Sequence, residues 1–177
     1  MSFSYPFYFL RHGETDWNLA RRVMGQTDIP LNETGLWQAR RAADLLHGEA
    51  IAAIWSSPLQ RCKATAELVA AKLSLPVSIA DGLSERHWGI YQGGPQDRRP
   101  LRAKAPEGGE TLADFAQRTL AAFGDATATG PSLIVAHSGS FRVLIRALGL
   151  TDADAPVANA RPLRIEGPGR ITPLGTD

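Results

Sequence analysis

The chain has 177 residues, 44% of them hydrophobic and 21% charged, which is room for one compact domain with a sizeable core. A net charge of +1 gives no field that would favour nucleic acid or an acidic membrane as partner, and no apolar stretch approaches the roughly 20 residues of a membrane span. The single cysteine, Cys62, excludes an internal disulfide and a cysteine-based zinc site; it fits a reducing compartment, and without a basic leader segment the expected location is the cytoplasm.

In chain order, Phe7 to Leu10 is a short aromatic and aliphatic run that predicts a buried strand. Asn32-Glu33-Thr34-Gly35 opens a helix to about Leu46, with Leu36, Ala39, Ala42, Ala43 and Leu46 on one face. Ile51 to Trp55 is the next strand. Ser57-Pro58 reads as the N-cap and first residue of a helix running through Ala64, Leu68 and Ala71 to about Leu73. Leu75 to Ile79 is a weaker strand. Gly89 to Gly109 is irregular and rich in Gly, Pro and Arg, the pattern of a surface loop or short lid. Thr111 caps a helix that carries Leu112, Phe115, Ala116, Leu120 and Phe123. Ser132 to Ala136 is the clearest strand, followed by a helix over about Gly139 to Leu148 with Gly149 at its C-terminal cap. Short runs from Pro162 to Leu174 suggest an edge hairpin around Gly167-Pro168-Gly169. The alternation predicts an α/β fold: a three-layer αβα sandwich with a mainly parallel sheet, one domain over 1–177.

The chemistry gathers where strands end. Arg11-His12-Gly13 follows the first strand, Ser56, Ser57 and Arg61 the second, and His137 the Ser132–Ala136 strand. In an open parallel sheet these places share the carboxyl rim, where ligands bind. Two histidines and two arginines then face one pocket, and no acid directly follows any of the three strands. The pocket is expected to be strongly positive and its ligand an anion, since guanidinium groups match the oxygen geometry of phosphate. The helix that begins near Ser138-Gly139 adds free amides to the attraction.

Arg11-His12-Gly13-Glu14-Thr15 with Trp17-Asn18, then Gly25 to Asp28, Pro30-Leu31, Gly35 and Gln38-Ala39, resembles the histidine phosphatase superfamily, which includes the cofactor-dependent phosphoglycerate mutases. Ser56-Ser57-Pro58-Leu59-Gln60-Arg61 with Thr65-Ala66 is similar to its second motif. Leu83-Ser84-Glu85 with Gly89, Glu107 to Thr111, and Ala136-His137 with Arg142 resemble the rest, in order from about residue 7 to about residue 148. The resemblance implies a phosphohistidine on His12. It implies that Arg11, Arg61 and His137 bind the phosphoryl group, with Asn18 as a further phosphate ligand; Ser138, which departs from the family pattern, is a candidate phosphate contact from its own position. Glu85 would protonate the leaving oxygen and then deprotonate water. A neutral imidazole is the nucleophile such a step needs, and nearby arginines are expected to lower the His12 pKa. No metal or other cofactor is implied, because the cations are built in; the partner is a small phosphorylated substrate.

Several features bear on which reaction is run. Ser138-Gly139 stands where the family commonly has Gly-Gly or Gly-Asn. Glu85 to Gly89 resembles the mutase branch, yet the segment from Gly89 to Gly109 is much shorter than in those mutases, where the insert keeps water from the intermediate. The expected activity is therefore hydrolysis of a small phosphate monoester, with mutase-type transfer on the same His12 as the alternative. Arg98, Arg99, Arg102 and Lys104 are candidates for a second anionic group of the substrate or for a solvated basic loop. Ala136 to Ser140 faintly resembles a serine nucleophile elbow but lacks both glycines of that motif. A phosphate-sensing module without turnover is a further alternative, and a homodimer stays open.

Overall fold

The computed structural model describes residues 3–101, 103–151 and 157–175. Six strands form one sheet: β1 (Phe7–Arg11), β2 (Ala53–Ser56), β3 (Val77–Ile79), β4 (Ser132–Ala136), β5 (Pro162–Gly167) and β6 (Arg170–Pro173). Their order across the sheet is β3-β2-β4-β1-β5-β6. The first four run parallel to one another, while β5 lies antiparallel to β1 and turns back as β6. The expected tail hairpin is this β5–β6 pair, with Gly169 at a positive φ of 78° in its turn.

Side-chain alternation divides the core into two layers. Phe7 and Phe9 of β1 with Ile134 and Ala136 of β4 point to one face, where they meet Phe123, Phe141, Leu144 and Ile145. Tyr8 and Leu10 with Leu133 and Val135 point to the other, against Ala42, Leu46, Cys62, Ala66 and Val69. The first face is covered by α4 (Leu112–Thr127) and α5 (Ser138–Ala147), the second by α2 (Glu33–Leu46) and α3 (Gln60–Leu73). Because both faces are covered, β1 and β4 carry continuous apolar runs, Phe7 to Leu10 and Leu133 to Ala136, rather than alternating ones. Phe9 packs against Phe141 with ring centroids 4.8 Å apart, and burial of each such ring contributes about 1.5–3 kcal/mol. The α/β sandwich is thus as expected.

The local differences have physical causes. Helix α3 starts at Gln60, so Ser57 is not its cap and Pro58 is not its first residue. The cap comes from afar: Asp28 Oδ1 accepts from the Gln60 amide at 2.7 Å. The buried stripe of α3 is Arg61, Cys62, Thr65, Ala66, Val69 and Ala70, one step round from Ala64, Leu68 and Ala71. Strands β2 and β3 begin two residues later than expected, at Ala53 and Val77. A four-residue helix, α1 (Asp16–Leu19), was not anticipated; Thr15 and Asn18 close it with a reciprocal capping box. The irregular stretch 89–109 contains two short 3₁₀ turns, Gly89–Tyr91 and Gln96–Arg98. Val23 and Gly93–Gly94 exchange backbone hydrogen bonds, and the Gln96 amide donates to Arg21. The stretch is therefore tied to the chain just after α1. Among the described residues no helix is long and apolar enough to cross a membrane.

Candidate active site

Parallel pairing brings three strand ends to one rim. Arg11 lies opposite Ala136 and Ser56 opposite Val135. The His12 amide continues the ladder to Ala136 at 3.1 Å and the Ser57 amide to Val135 at 3.0 Å. Residues far apart in sequence thereby become neighbours: the His12 and His137 rings sit edge-on with centroids 5.3 Å apart. The His12 turn also requires close backbone approach, for a Cβ on Gly13 would overlap the carbonyl oxygen of Gly35 at the start of α2.

His12 is 2% exposed. Its Nδ1 lies 2.7 Å from the Gly13 carbonyl oxygen, which can only accept, so Nδ1 carries the proton. In the neutral ring the lone pair is then on Nε2. The pKa of His12 is pushed well below its ordinary value, first by burial and then by Arg61 and Arg11. The arginines act as expected, but desolvation is the larger cause. His137 is likewise depressed, by burial first and then by Arg61. Fully buried, it shares a 2.8 Å hydrogen bond between Nε2 and Ser57 Oγ, with Cys62 Sγ packed against the ring.

These two depressed values have a consequence for stability. Above about pH 6.5 neither ring is charged, folded or unfolded; below it the unfolded chain binds protons that the buried rings do not. Stability is then full above that pH and falls on acidification as each ring is called on to take up a proton. The thermal midpoint is expected to drop as pH falls from about 6.5 toward 5, and His137→Gln should lessen that slope. An unchanged slope in the variant would assign the acid sensitivity to other groups.

The cations at this rim are guanidinium groups. Arg61, in the first turn of α3 and fully buried, donates from Nη1 to Thr27 at 3.0 Å and from Nη2 to Gly25 at 2.7 Å. Arg11 donates from Nη1 to Val157 at 3.2 Å. The buried Nε of each finds no partner among the described residues, which leaves both forks with unused donors. The Arg11 pKa is lowered to about 10, by burial first, with Glu85 opposing the shift and Arg142 and Arg61 adding to it. A group whose charged form is costly in this place gains most from an anion beside it. Asn18 also lines the cleft. Its Oδ1 accepts from the Thr15 amide, the Thr15 hydroxyl and Asn159 Nδ2 at 3.1, 3.1 and 3.4 Å. What remains for a ligand is its amide NH₂.

Glu85 borders the cleft and corrects one expectation. The Gly139 amide at the start of α5 is not free for a ligand anion: it donates to Glu85 Oε2 at 3.0 Å, while Glu85 Oε1 accepts from the Arg86 amide at 2.8 Å. The carboxylate lies so close that a Cβ on Gly139 would overlap Glu85 Oε1. Arg118 holds the Glu85 backbone in place. It donates to the carbonyls of Gly82, Ser84 and Glu85 while paired with Glu110 at 2.6 Å. Gln26 Nε2 donates to the same Glu85 carbonyl at 3.1 Å.

Together these groups border a cleft of about 410 Å³ that opens to solvent, with Arg11, His12, Asn18, Arg61, Glu85 and Ser138 in its wall. Arg22, Gln96, Trp88 and Arg99 complete the mouth. His137 stands behind the wall rather than in it. Of the basic loop candidates, Arg99 turns into the cleft; Arg98 and Lys104 are exposed and do not line it, and Arg102 lies outside the described residues. His87 accepts from the Gly89 amide through Nδ1 and does not reach the cleft. Sequence reasoning missed the Ser57–His137 bond, the Arg118 clamp and Asn159, whose Nδ2 donates to the His12 carbonyl at 2.9 Å. Among the described residues no three His, Cys, Asp or Glu side chains gather as a metal-ligand set.

The model of the histidine phosphatase superfamily (branch 1) matches residues 7–162. Over 141 residues the chain is 37% identical to the uncharacterized phosphatase PhoE of Bacillus subtilis (strain 168), a match covering 77% of this chain and 73% of that one. It is 36% identical over 154 residues to phosphoglycerate mutase-like protein 4 of Arabidopsis thaliana, covering 76% and 67%. Among solved structures, a mycobacterial glucosyl-3-phosphoglycerate phosphatase superposes with a TM-score of 0.78 at 31% identity, over 90% of this chain and 88% of that one.

Proposed function

This chain belongs to branch 1 of the histidine phosphatase superfamily, and from that premise we propose that it hydrolyses a small phosphate monoester through a phosphohistidine on His12, without a metal. The observation that carries this reading is the tautomer of His12: Nδ1–H is fixed on the Gly13 carbonyl, and the Nε2 lone pair belongs to a ring in the wall of a cleft that also holds Arg11, Arg61 and Glu85.

In the first step Nε2 attacks phosphorus. The N–P bond forms as the P–O bond to the leaving alcohol breaks, and protonated Glu85 delivers its proton to that oxygen. Arg11 and Arg61 balance the charge on the equatorial oxygens, the largest contribution a protein makes to phosphoryl transfer. Asn18 supplies a further donor. Behind the wall, His137 and Ser57 set the position of the rim. In the second step the Glu85 carboxylate takes a proton from water. Its oxygen bonds to phosphorus, the N–P bond breaks, and inorganic phosphate leaves with the His12 lone pair restored. The open cleft supports access of water to the intermediate. In the mutase alternative the same phosphohistidine returns its group to a second hydroxyl; the similarity to the Arabidopsis mutase-like protein supports keeping that reading.

Replacing Glu85 by glutamine tests the role of the acid. An alkyl phosphate, whose leaving oxygen needs the proton, should lose about 10²–10⁴-fold in kcat/KM. A nitrophenyl phosphate, whose leaving oxygen does not, should lose about tenfold or less. Equal losses for the two esters would contradict the assignment.

A further inference from the structure

The turn that carries His12 is anchored by more than the sheet. Two residues adjacent in sequence, Asn159 and Ala160, reach two adjacent carbonyls of the turn. The Ala160 amide donates to the Arg11 carbonyl at 2.9 Å, and Asn159 Nδ2 donates to the His12 carbonyl at 2.9 Å. The corner that allows both is strained: Ala160 has a φ of 45°, a region that residues with a Cβ rarely enter. Its buried methyl belongs to the core cluster of Tyr8 and Leu46. Strain of this kind persists only where the surroundings enforce it, and it concentrates at functional sites.

The second proton of the Asn159 amide has its own acceptor, Asn18 Oδ1 at 3.4 Å. Two backbone groups decide which way both side chains face. The His12 carbonyl can only accept, so the Asn159 atom beside it is the NH₂. The Thr15 amide can only donate, so the Asn18 atom 3.1 Å from it is the oxygen. One NH₂ group thus bridges the backbone of His12 and the side chain of Asn18. Both of those residues line the cleft, whereas Asn159 does not. Asn159 borders instead a separate groove of about 560 Å³, with Trp37, Arg41 and Leu174.

We propose that Asn159 is a positioning residue: its two N–H bonds set the spacing between His12 and Asn18, so that nucleophile and phosphate ligand meet one phosphoryl group. This rests on the phosphatase reading, in which Asn18 donates to that group. Without Asn159, Asn18 keeps its bonds to Thr15 but loses the contact that ties it to the nucleophile. Such a loss is felt in phosphoryl transfer because catalysis there is mainly positioning and electrostatics. The strained corner at Ala160 is what brings the Asn159 amide to this place.

The test is a double-mutant cycle of Asn159→Ala and Asn18→Ala. Its readout is the inhibition constant of inorganic phosphate against hydrolysis of nitrophenyl phosphate. That constant does not depend on the fraction of protein that is folded, so general damage leaves it unmoved. Asn159→Ala should raise it by about three- to tenfold, the usual worth of one hydrogen bond. In the Asn18→Ala background the same substitution should raise it by less than about twofold, because the ligand that Asn159 aims is gone. Asn159→Asp keeps the shape of the side chain but, once ionised, donates to neither acceptor. It should weaken phosphate binding at least as much as Asn159→Ala, and it takes the place of alanine in the cycle if the alanine variant does not fold. An unchanged constant in Asn159→Ala, an equal factor in both backgrounds, or an Asn159→Asp that inhibits like the parent overturns this proposal and leaves the phosphatase reading intact. A parent protein that hydrolyses no phosphate ester removes that reading, and this proposal with it.

Discussion

His12→Ala should abolish hydrolysis of an aryl phosphate, with kcat reduced on the order of 10⁴-fold or more. The size of the effect follows from the arrangement. An aryl phosphate has a good leaving group and needs little help from Glu85, so nearly all of its acceleration depends on nucleophile and electrostatics. His137 does not replace it as nucleophile, because it is fully buried with its Nε2 bonded to Ser57. Substrate binding should change far less, since Arg11 and Arg61 keep their carbonyl anchors on Val157, Thr27 and Gly25. The fold should persist too, as the His12 ring makes one side-chain hydrogen bond, to its own neighbour Gly13. The check is steady-state kinetics on the variant with circular dichroism to confirm folding. A well-folded variant that retains more than about 1% of kcat would refute a nucleophilic His12.

The second large effect is expected at Arg61. Arg61→Ala should lower kcat/KM by about 10²–10³-fold, the usual cost of a donor aimed at charge that develops in the transition state. It should also lower stability, by about 1–3 kcal/mol for each buried carbonyl left without its donor. Those carbonyls are Gly25 and Thr27, in the loop that also lines the cleft at Val23, Met24 and Gly25. Arg61→Lys restores the charge but not the fork. A lysine cannot hold two carbonyls and present a flat pair of donors to phosphate, so most of the rate loss should remain while much of the stability returns. Vanadate inhibition gives an independent reading: it should weaken in step with kcat/KM in both variants. Undiminished vanadate affinity in Arg61→Ala would mean that Arg61 supports the loop without touching the phosphoryl group.

Much of the architecture was legible because burial writes itself into sequence. Strands β1 and β4 are covered on both faces, so Phe7 to Leu10 and Leu133 to Ala136 stand out as continuous apolar runs, and the limits of β4, Ser132 to Ala136, match residue for residue. Once those strands are parallel, the meeting of His12, Arg61 and His137 follows from topology alone. What was not legible depends on contacts between distant segments. Ser57-Pro58 has the local chemistry of a helix start, but Asp28, far upstream, provides the cap and Ser57 is drawn to His137. Helix α1 is too short to show periodicity and exists through the Thr15–Asn18 box. The buried stripe of α3 includes Arg61 and Thr65, polar residues that a hydrophobic pattern assigns to the surface. The hardest point was the N-terminus of α5. A helix start in an anion pocket suggests a ligand, yet the anion there is the protein's own Glu85, held by Arg118 and Gln26.

The central claim is that the phosphoryl group passes through Nε2 of His12. The direct measurement is a rapid acid-free quench during turnover of a labelled phosphate ester, followed by peptide mapping and phosphorus NMR of the trapped protein. The account predicts an acid-labile, base-stable phosphohistidine on the peptide that contains His12, substituted at Nε2, and absent from His12→Ala. A phosphoryl group on any other residue, or turnover at full rate with no phosphoenzyme formed, would contradict it.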